Sequence, residues 1–271
     1  MYSFFSNSLL VTITLLSIGV AIGFTTAYVS IYDLLRKQAE KRLETLEDQF
    51  VSLSSHYLLT PVSTIQAAVG RLQEAESMGL AERRKMYDAI YQADSRLWII
   101  AQQLILMNQF GTDRLKLDFG AVNLDSLVVD SIRTLEPLIR KAKVKVLYDD
   151  SGLGSSQVSA DGRRLKQAFI AILDNAVKFS PEGGEVKVRL GSANQLYQLV
   201  TSDSGAGMPF EVQKHISEKF YRGTDLYRFD YEGMGLGMYI AERIVALHQG
   251  AIKIESAPKS GTRVTIEFPK P

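Results

Sequence analysis

Apolar positions recur at helical spacing through much of the first 110 residues. Leu35, Ala39, Leu43, Leu46, Phe50, Leu53 and Tyr57 are separated by steps of four, four, three, four, three and four, the seam of a coiled coil with one irregular step near its start. A second helical stripe, Ile90, Ala93, Leu97, Ala101, Leu104 and Met107, predicts a returning helix over Ala81 to Phe110, with Glu76 to Leu80 turning the chain. Such a hairpin cannot cover both stripes by itself, so a dimer with a four-helix core is expected. Further on, Leu165, Phe169, Ile172, Leu173 and Ala176 share one face of a helix over Leu165 to Phe179. Ile240, Ile244, Val245 and Leu247 mark another over Met238 to His248. Strand patterns cover Val144 to Tyr148, Glu185 to Leu190, Leu196 to Thr201, Ala251 to Ser256 and Arg263 to Phe268.

Charge refines this picture at the amino end. Ser8 to Ser30, about 23 residues, contains no charged side chain and as a helix would extend roughly 35 Å, enough to cross a hydrocarbon core of about 30 Å. No basic residue precedes it, as a cleaved signal would require. Arg36, Lys37, Lys41 and Arg42 follow it, which places the remainder in the cytoplasm. The expectation is a single-pass inner-membrane protein, amino terminus outside, with residues 1–30 as the span and a short outer stub. The stimulus would then be sensed among membrane lipid or delivered by a partner membrane protein. A formal net charge of +1 gives no footprint for nucleic acid, and with no cysteine there is neither a disulfide framework nor a thiolate-bound metal.

Candidate chemistry gathers in the last hundred residues. Asn175 lies beside the apolar stripe of its helix with Lys178 three residues on, so that the two can share one rim of a pocket. A neutral amide oxygen suits Mg²⁺, which takes few protein ligands and completes its shell with phosphate and water; Lys178 adds a point charge. Asp203 closes a strand and opens Asp203-Ser204-Gly205-Ala206-Gly207, where a carboxylate can accept from an exocyclic amine such as that of adenine. Gly233-Met234-Gly235-Leu236-Gly237 opens a helix, leaving unpaired N–H groups for a phosphate. Each motif alone is weak, since Asp-Ser-Gly is a common turn and Gly-x-Gly runs are often plain loops. In this order they describe an ATP site.

The run Leu165 to Pro181, the Asp203 cluster, Glu218-Lys-Phe-Tyr-Arg-Gly223 and the Gly233 cluster resemble the ATP-binding domain of bacterial sensor histidine kinases. Ser55-His-Tyr-Leu-Leu-Thr-Pro61 resembles their phospho-acceptor segment. The resemblance implies an α+β chain: a transmembrane segment (1–30), a coiled-coil linker with a dimeric phospho-acceptor hairpin (31–112), and an α/β-sandwich ATP-binding domain (113–271). It implies Asn175 as the Mg²⁺ ligand, Lys178 as a phosphate contact and Asp203 as the adenine acceptor. Gly205 and Gly207 would be the hinge of the pocket floor, Phe220 and Arg222 the segment meeting lid and phosphates, and Gly233, Gly235 and Gly237 the phosphate-facing glycines. His56 would take the phosphoryl group from Mg·ATP and pass it to an aspartate of a response regulator. Thr60, one turn later on the same face, matches the position that orients water for dephosphorylation.

The acceptor motif departs from the family's. Where an acid usually follows the histidine this chain has Tyr57, a poor base at neutral pH, and Leu59 replaces a basic residue. Two outcomes stay open: a kinase whose imidazole attacks slowly, or a kinase-weak phosphatase or nucleotide-gated adaptor. A chaperone or mismatch-repair type of ATPase would carry a glutamate one turn before Asn175; Ala171 stands there instead.

Overall fold

The computed structural model describes residues 28–38, 40–41, 55, 57–73, 78–110, 115–150, 153, 156–222 and 233–270. The chain divides into two compact units, Met1–Ser52 and Leu53–Pro271. In the first, 28–38 is helical and exposed, and Arg36 Nε pairs with Glu40 Oε1 at 2.9 Å. Most of the expected span, most of the coiled-coil seam and His56 lie outside the described residues. Among the described residues no helix is long and apolar enough to cross a membrane.

The second unit begins with a helical hairpin. Helix α1 covers 57–73 and α2 runs Leu80–Phe110. Tyr57, the last seam residue, is buried, and so is Pro61 inside α1. Ala93 is buried on α2 as its stripe predicts, but Ala101 is exposed, and Ile100 and Leu106 are buried in its place. The reason is that α2 is apolar on more than one side: Tyr87, Tyr91, Trp98 and Ile105 form a second stripe that stays exposed, matched on α1 by Leu59, Val62 and Val69.

The remainder is an α+β domain around a mixed sheet. Strand β1 (Gly120–Asn123) leads into α3 (Leu124–Ala142), followed by β2 (Lys145–Asp149), β3 (Gln157–Ala160), α4 (Gly162–Phe179), β4 (Glu185–Ala193) and β5 (Leu196–Asp203). The short α5 (Phe210–His215), α6 (Gly237–Leu247), β6 (Ala251–Ser256) and β7 (Thr262–Pro269) complete it. The five-stranded sheet has the order β2-β4-β5-β7-β6, and β1 pairs with β3 apart from it. Only the β2–β4 pair of the large sheet is parallel. All five strands expected from alternation are present, β6 with its expected ends and the others with ends shifted by at most three residues. The β1–β3 ribbon and α3 were not expected.

Period-two patterning decides which side of the sheet is covered. Val186, Val188 and Leu190 of β4 stand opposite Asp203, Thr201 and Leu199 of β5, and apart from Asp203 all are buried. This face meets α4, whose Leu165, Ala168, Phe169, Ile172, Leu173, Ala176 and Val177 are all buried. The opposite face is polar: Glu267 accepts from Lys253 Nζ and Gln198 Nε2, each at 2.9 Å.

Two polar devices fix the entrance to α4. Asp161 is its N-cap, accepting from Arg164 N at 3.0 Å, and its other oxygen accepts from Asp118 N at 3.1 Å. The Asp161 N–H donates to His248 Nε2 at 3.0 Å, while His248 Nδ1 lies 2.7 Å from the Ile244 carbonyl. One ring nitrogen must accept and the other donate, so these bonds assign a neutral imidazole protonated at Nδ1. Phe119 stacks on that ring at 5.3 Å. The segment leaving the hairpin is thereby tied to the starts and ends of the two helices that carry the candidate site.

Candidate nucleotide site

Helix α4 is the wall on which the predicted residues converge. Its buried face forces Asn175 and Lys178 to the edge of the apolar stripe, where both are half-buried. Lys178 Nζ pairs with Asp174 Oδ2 at 2.5 Å, an i, i+4 contact whose spacing is present in the sequence.

At the carboxyl end of α4, the backbone of Gly205 runs against the helix so closely that a Cβ there would come within 2.3 Å of the Phe179 carbonyl oxygen and 2.8 Å of Asp203 Oδ1. No residue larger than glycine fits. That approach holds the Asp203 side chain at the strand end, where Oδ1 accepts from Gly205 N at 2.8 Å and from Thr262 N at 3.1 Å. Burial pushes the Asp203 carboxyl up, and the two N–H groups offset part of the push. Thr262 lies 59 residues downstream, a partner that no local motif announces. Its turn is tight as well: Gly261, at φ +73°, leaves only 2.0 Å between an added Cβ and the Asp203 carbonyl oxygen.

Toward the amino end of α4 the second glycine cluster comes in. A Cβ on Gly237 would sit 3.8 Å from that of Ala171, one turn before Asn175. Gly235 is at φ +71°, and a Cβ there would lie 2.6 Å from the Tyr221 carbonyl oxygen; among the described residues nothing lies within 4 Å of the equivalent point on Gly233. The loop therefore rests on the Phe220–Tyr221 backbone, with Phe220 itself buried at φ +62°. Gly207 adopts φ +63°. Asn175, Asp203 and the Gly233–Gly237 loop thus border a single helix. Gly223 and the rest of the expected lid, Arg228 included, lie outside the described residues.

An open hollow of about 480 Å³ also borders Asp203. Its other walls include Lys187, Ser202 and Arg263, which sit on the polar face of the sheet, away from Asn175 and the glycine loop. It is a surface depression separate from the α4 wall.

On the hairpin, Thr60 is exposed on α1. Arg222 meets the hairpin: its Nη1 donates to the hydroxyl of Tyr57, and its guanidinium carbon lies 5.7 Å from that ring's centre.

Residues 160–271 match the model of the histidine kinase-, DNA gyrase B- and HSP90-like ATPases. Over 85% of its length the chain is 30% identical to the heme sensor protein HssS of Staphylococcus saprophyticus, covering 48% of that protein. It is 32% identical over 84% of its length to the signal transduction histidine-protein kinase/phosphatase MprB of Mycolicibacterium smegmatis, covering 45% of it. The chain spans about half the length of these curated relatives. In fold it is similar to the histidine kinase ThkA, solved with the response regulator TrrA, at a TM-score of 0.61 and 21% identity over 86% of this chain and 64% of that one. Residues 160–271 thus carry the ATPase domain of the histidine kinase-, DNA gyrase B- and HSP90-like family, and the relatives that align with the chain beyond that domain include named histidine kinases.

Proposed function

We propose that this chain is a protein-histidine kinase that binds Mg·ATP on the α4 wall, phosphorylates His56 and passes the phosphoryl group to an aspartate of a response regulator. The observation that carries the reading is Asp203: a half-buried carboxylate, fixed by Gly205 and Thr262, at the strand end beside the helix that bears Asn175. A carboxylate so held accepts from the 6-amine of adenine without moving, at a position where guanine carries a carbonyl oxygen that cannot donate. The Gly235–Gly237 turn presents N–H groups at the start of α6 to the phosphates, and Lys178 and Arg222 supply positive charge.

The half-buried Asn175 amide, one turn from the glycine loop, fits a Mg²⁺ ion that takes a single protein ligand and fills its shell from phosphate and water. Bound there, the ion would neutralise phosphate charge. The protein's own part is then positioning: phosphoryl transfer needs the acceptor nitrogen in line and little covalent assistance. Tyr57 offers no carboxylate to take the imidazole proton, so turnover on His56 is expected to be slow. Thr60 stands exposed one turn later, where it can orient a water, and this favours the reading of a protein that removes phosphate from its regulator more readily than it supplies it.

The exposed stripes on α1 and α2 support a homodimer. Trp98 alone is 64% exposed, and aromatic and aliphatic residues at heptad-like spacing on both helices suit burial against a second copy. The uncharged Ser8–Ser30 supports anchoring in the inner membrane with the hairpin and ATP domain in the cytoplasm.

The test is incubation with γ-labelled Mg·ATP of wild type, His56→Gln and Asn175→Ala. Acid-labile label on wild type alone is expected. Label on His56→Gln would contradict the acceptor assignment. Label on none, with nucleotide still bound by wild type and His56→Gln, would establish the adaptor reading in place of the kinase.

A further inference from the structure

Tyr57 follows the proposed acceptor by one residue, and Arg222 is the last described residue before the lid segment. They are 165 residues apart in sequence, yet the Arg222 guanidinium donates to the Tyr57 hydroxyl and overlies its ring. The phenol is 8% exposed, and Arg96 of α2 acts on it electrostatically. Arg222 also leaves a fixed base, because the preceding Phe220–Tyr221 backbone is wedged against Gly235. Beside it, Lys219 Nζ lies 5.2 Å over the ring of Tyr239, which meets Phe110 of the hairpin edge-on at 6.1 Å. The ATP domain and the hairpin are thus joined through the two margins of the lid.

A guanidinium carries its charge and its five N–H donors in one rigid plane, and while Nη1 is held on the buried phenol of α1 that plane is fixed against the hairpin. We propose that Tyr57 is a positioning residue that holds Arg222 in a latch between the acceptor helix and the ATP domain, and that nucleotide binding draws Arg222 off the phenol onto the phosphates. The inference rests on the kinase reading and adds regulation to its site. The residue that replaces the family's acid would then set how readily the domain takes up nucleotide. A ligand that must first break such a contact binds more weakly by the fraction of molecules already released, and a charge-assisted hydrogen bond to a buried partner corresponds to about tenfold.

The experiment uses the full chain in detergent, as wild type, Tyr57→Phe, Arg222→Ala, Arg222→Lys and the Tyr57→Phe/Arg222→Ala double variant. Phe keeps the ring and removes only the hydroxyl. Two readouts are taken: hydrogen exchange of the amides at 216–222 without added nucleotide, and Mg·ATP affinity by calorimetry. Tyr57→Phe is expected to speed exchange and to tighten Mg·ATP about tenfold. Arg222→Ala should speed exchange equally and weaken Mg·ATP, and Tyr57→Phe should change neither quantity in that background. Arg222→Lys should restore part of the protection. A purely structural tyrosine would alter melting without tightening nucleotide. Binding in wild type that Tyr57→Phe leaves unchanged, or a Tyr57→Phe effect that persists with Arg222 gone, overturns the latch alone. No binding in wild type or in Tyr57→Phe overturns the kinase reading and the latch's regulatory role together.

Discussion

Replacing Gly235 by alanine isolates what the phosphate-facing loop requires of its backbone. The residue sits at φ +71°, where a side chain costs roughly 1–2 kcal/mol. Its new Cβ would also lie 2.6 Å from the Tyr221 carbonyl oxygen and 2.9 Å from the Phe220 carbonyl carbon, nearly an ångström inside ordinary contact. Relief requires moving a backbone that already holds Phe220 at positive φ, and overpacking of this kind costs roughly 1–3 kcal/mol. The sum is about 2–5 kcal/mol, partly recovered if the loop swings away. Gly233→Ala is the internal control, since no described residue lies within 4 Å of its Cβ position. Urea unfolding of the two variants, read as midpoint shifts at constant slope, should show a large loss for Gly235→Ala and almost none for Gly233→Ala. Mg·ATP affinity should fall on the order of tenfold or more for Gly235→Ala, because the N–H groups of the loop move with the backbone. Equal stability of the two variants would refute the reasoning.

Three further outcomes follow from the same geometry. Asp203 has a raised pKa through burial, so its native state binds a proton more tightly than the unfolded chain; its contribution to stability is present at low pH and is lost as pH climbs through the raised value. Asp203→Asn should therefore be more stable than wild type at neutral pH, with the gap closing as pH falls through the carboxyl range, while Mg·ATP binding is lost; a gap independent of pH would count against the buried carboxylate. Asp161→Ala removes the cap of α4 and the tie to Asp118, and should cost about 1–3 kcal/mol in urea unfolding; a change below a few tenths would show that the tie contributes nothing. Trp98→Glu should shift the chain toward monomer in analytical ultracentrifugation, and an unchanged sedimentation coefficient would remove the α2 stripe from any interface.

What was legible in the sequence is what local patterning controls. Alternation gave all five strands of the sheet, and the apolar stripe gave the end of α4 and its start to within three residues, because each packs one face on a single core. β1 and β3 have four residues each, too few for alternation to stand out. Helix α3 did carry its signal, with Asn123 capping Ser126 N at 2.9 Å and Leu124, Leu127 and Val128 buried at helical spacing. On α2 one stripe was predicted and two exist, so the buried positions moved from Ala101 to its neighbour Ile100.

The site divides the same way. Asn175, Asp203 and the two glycine clusters announce themselves by type and order. Their supports do not: Thr262 reaches Asp203, His248 reaches Asp161 and Arg222 reaches Tyr57 across 59, 87 and 165 residues, separations at which only the folded chain supplies the neighbour. The distinction between Gly235, whose Cβ position is blocked by the Phe220–Tyr221 backbone, and Gly233, whose Cβ position no described residue approaches, is likewise a property of what packs behind the loop.

Calorimetric titration of Mg·ATP into wild type and Asp203→Ala tests the central claim most directly. Saturable heat with one site in wild type, abolished in a folded Asp203→Ala, is the predicted result. No heat in wild type, or undiminished binding without the Asp203 carboxylate, would contradict the assignment of the α4 wall as a nucleotide site.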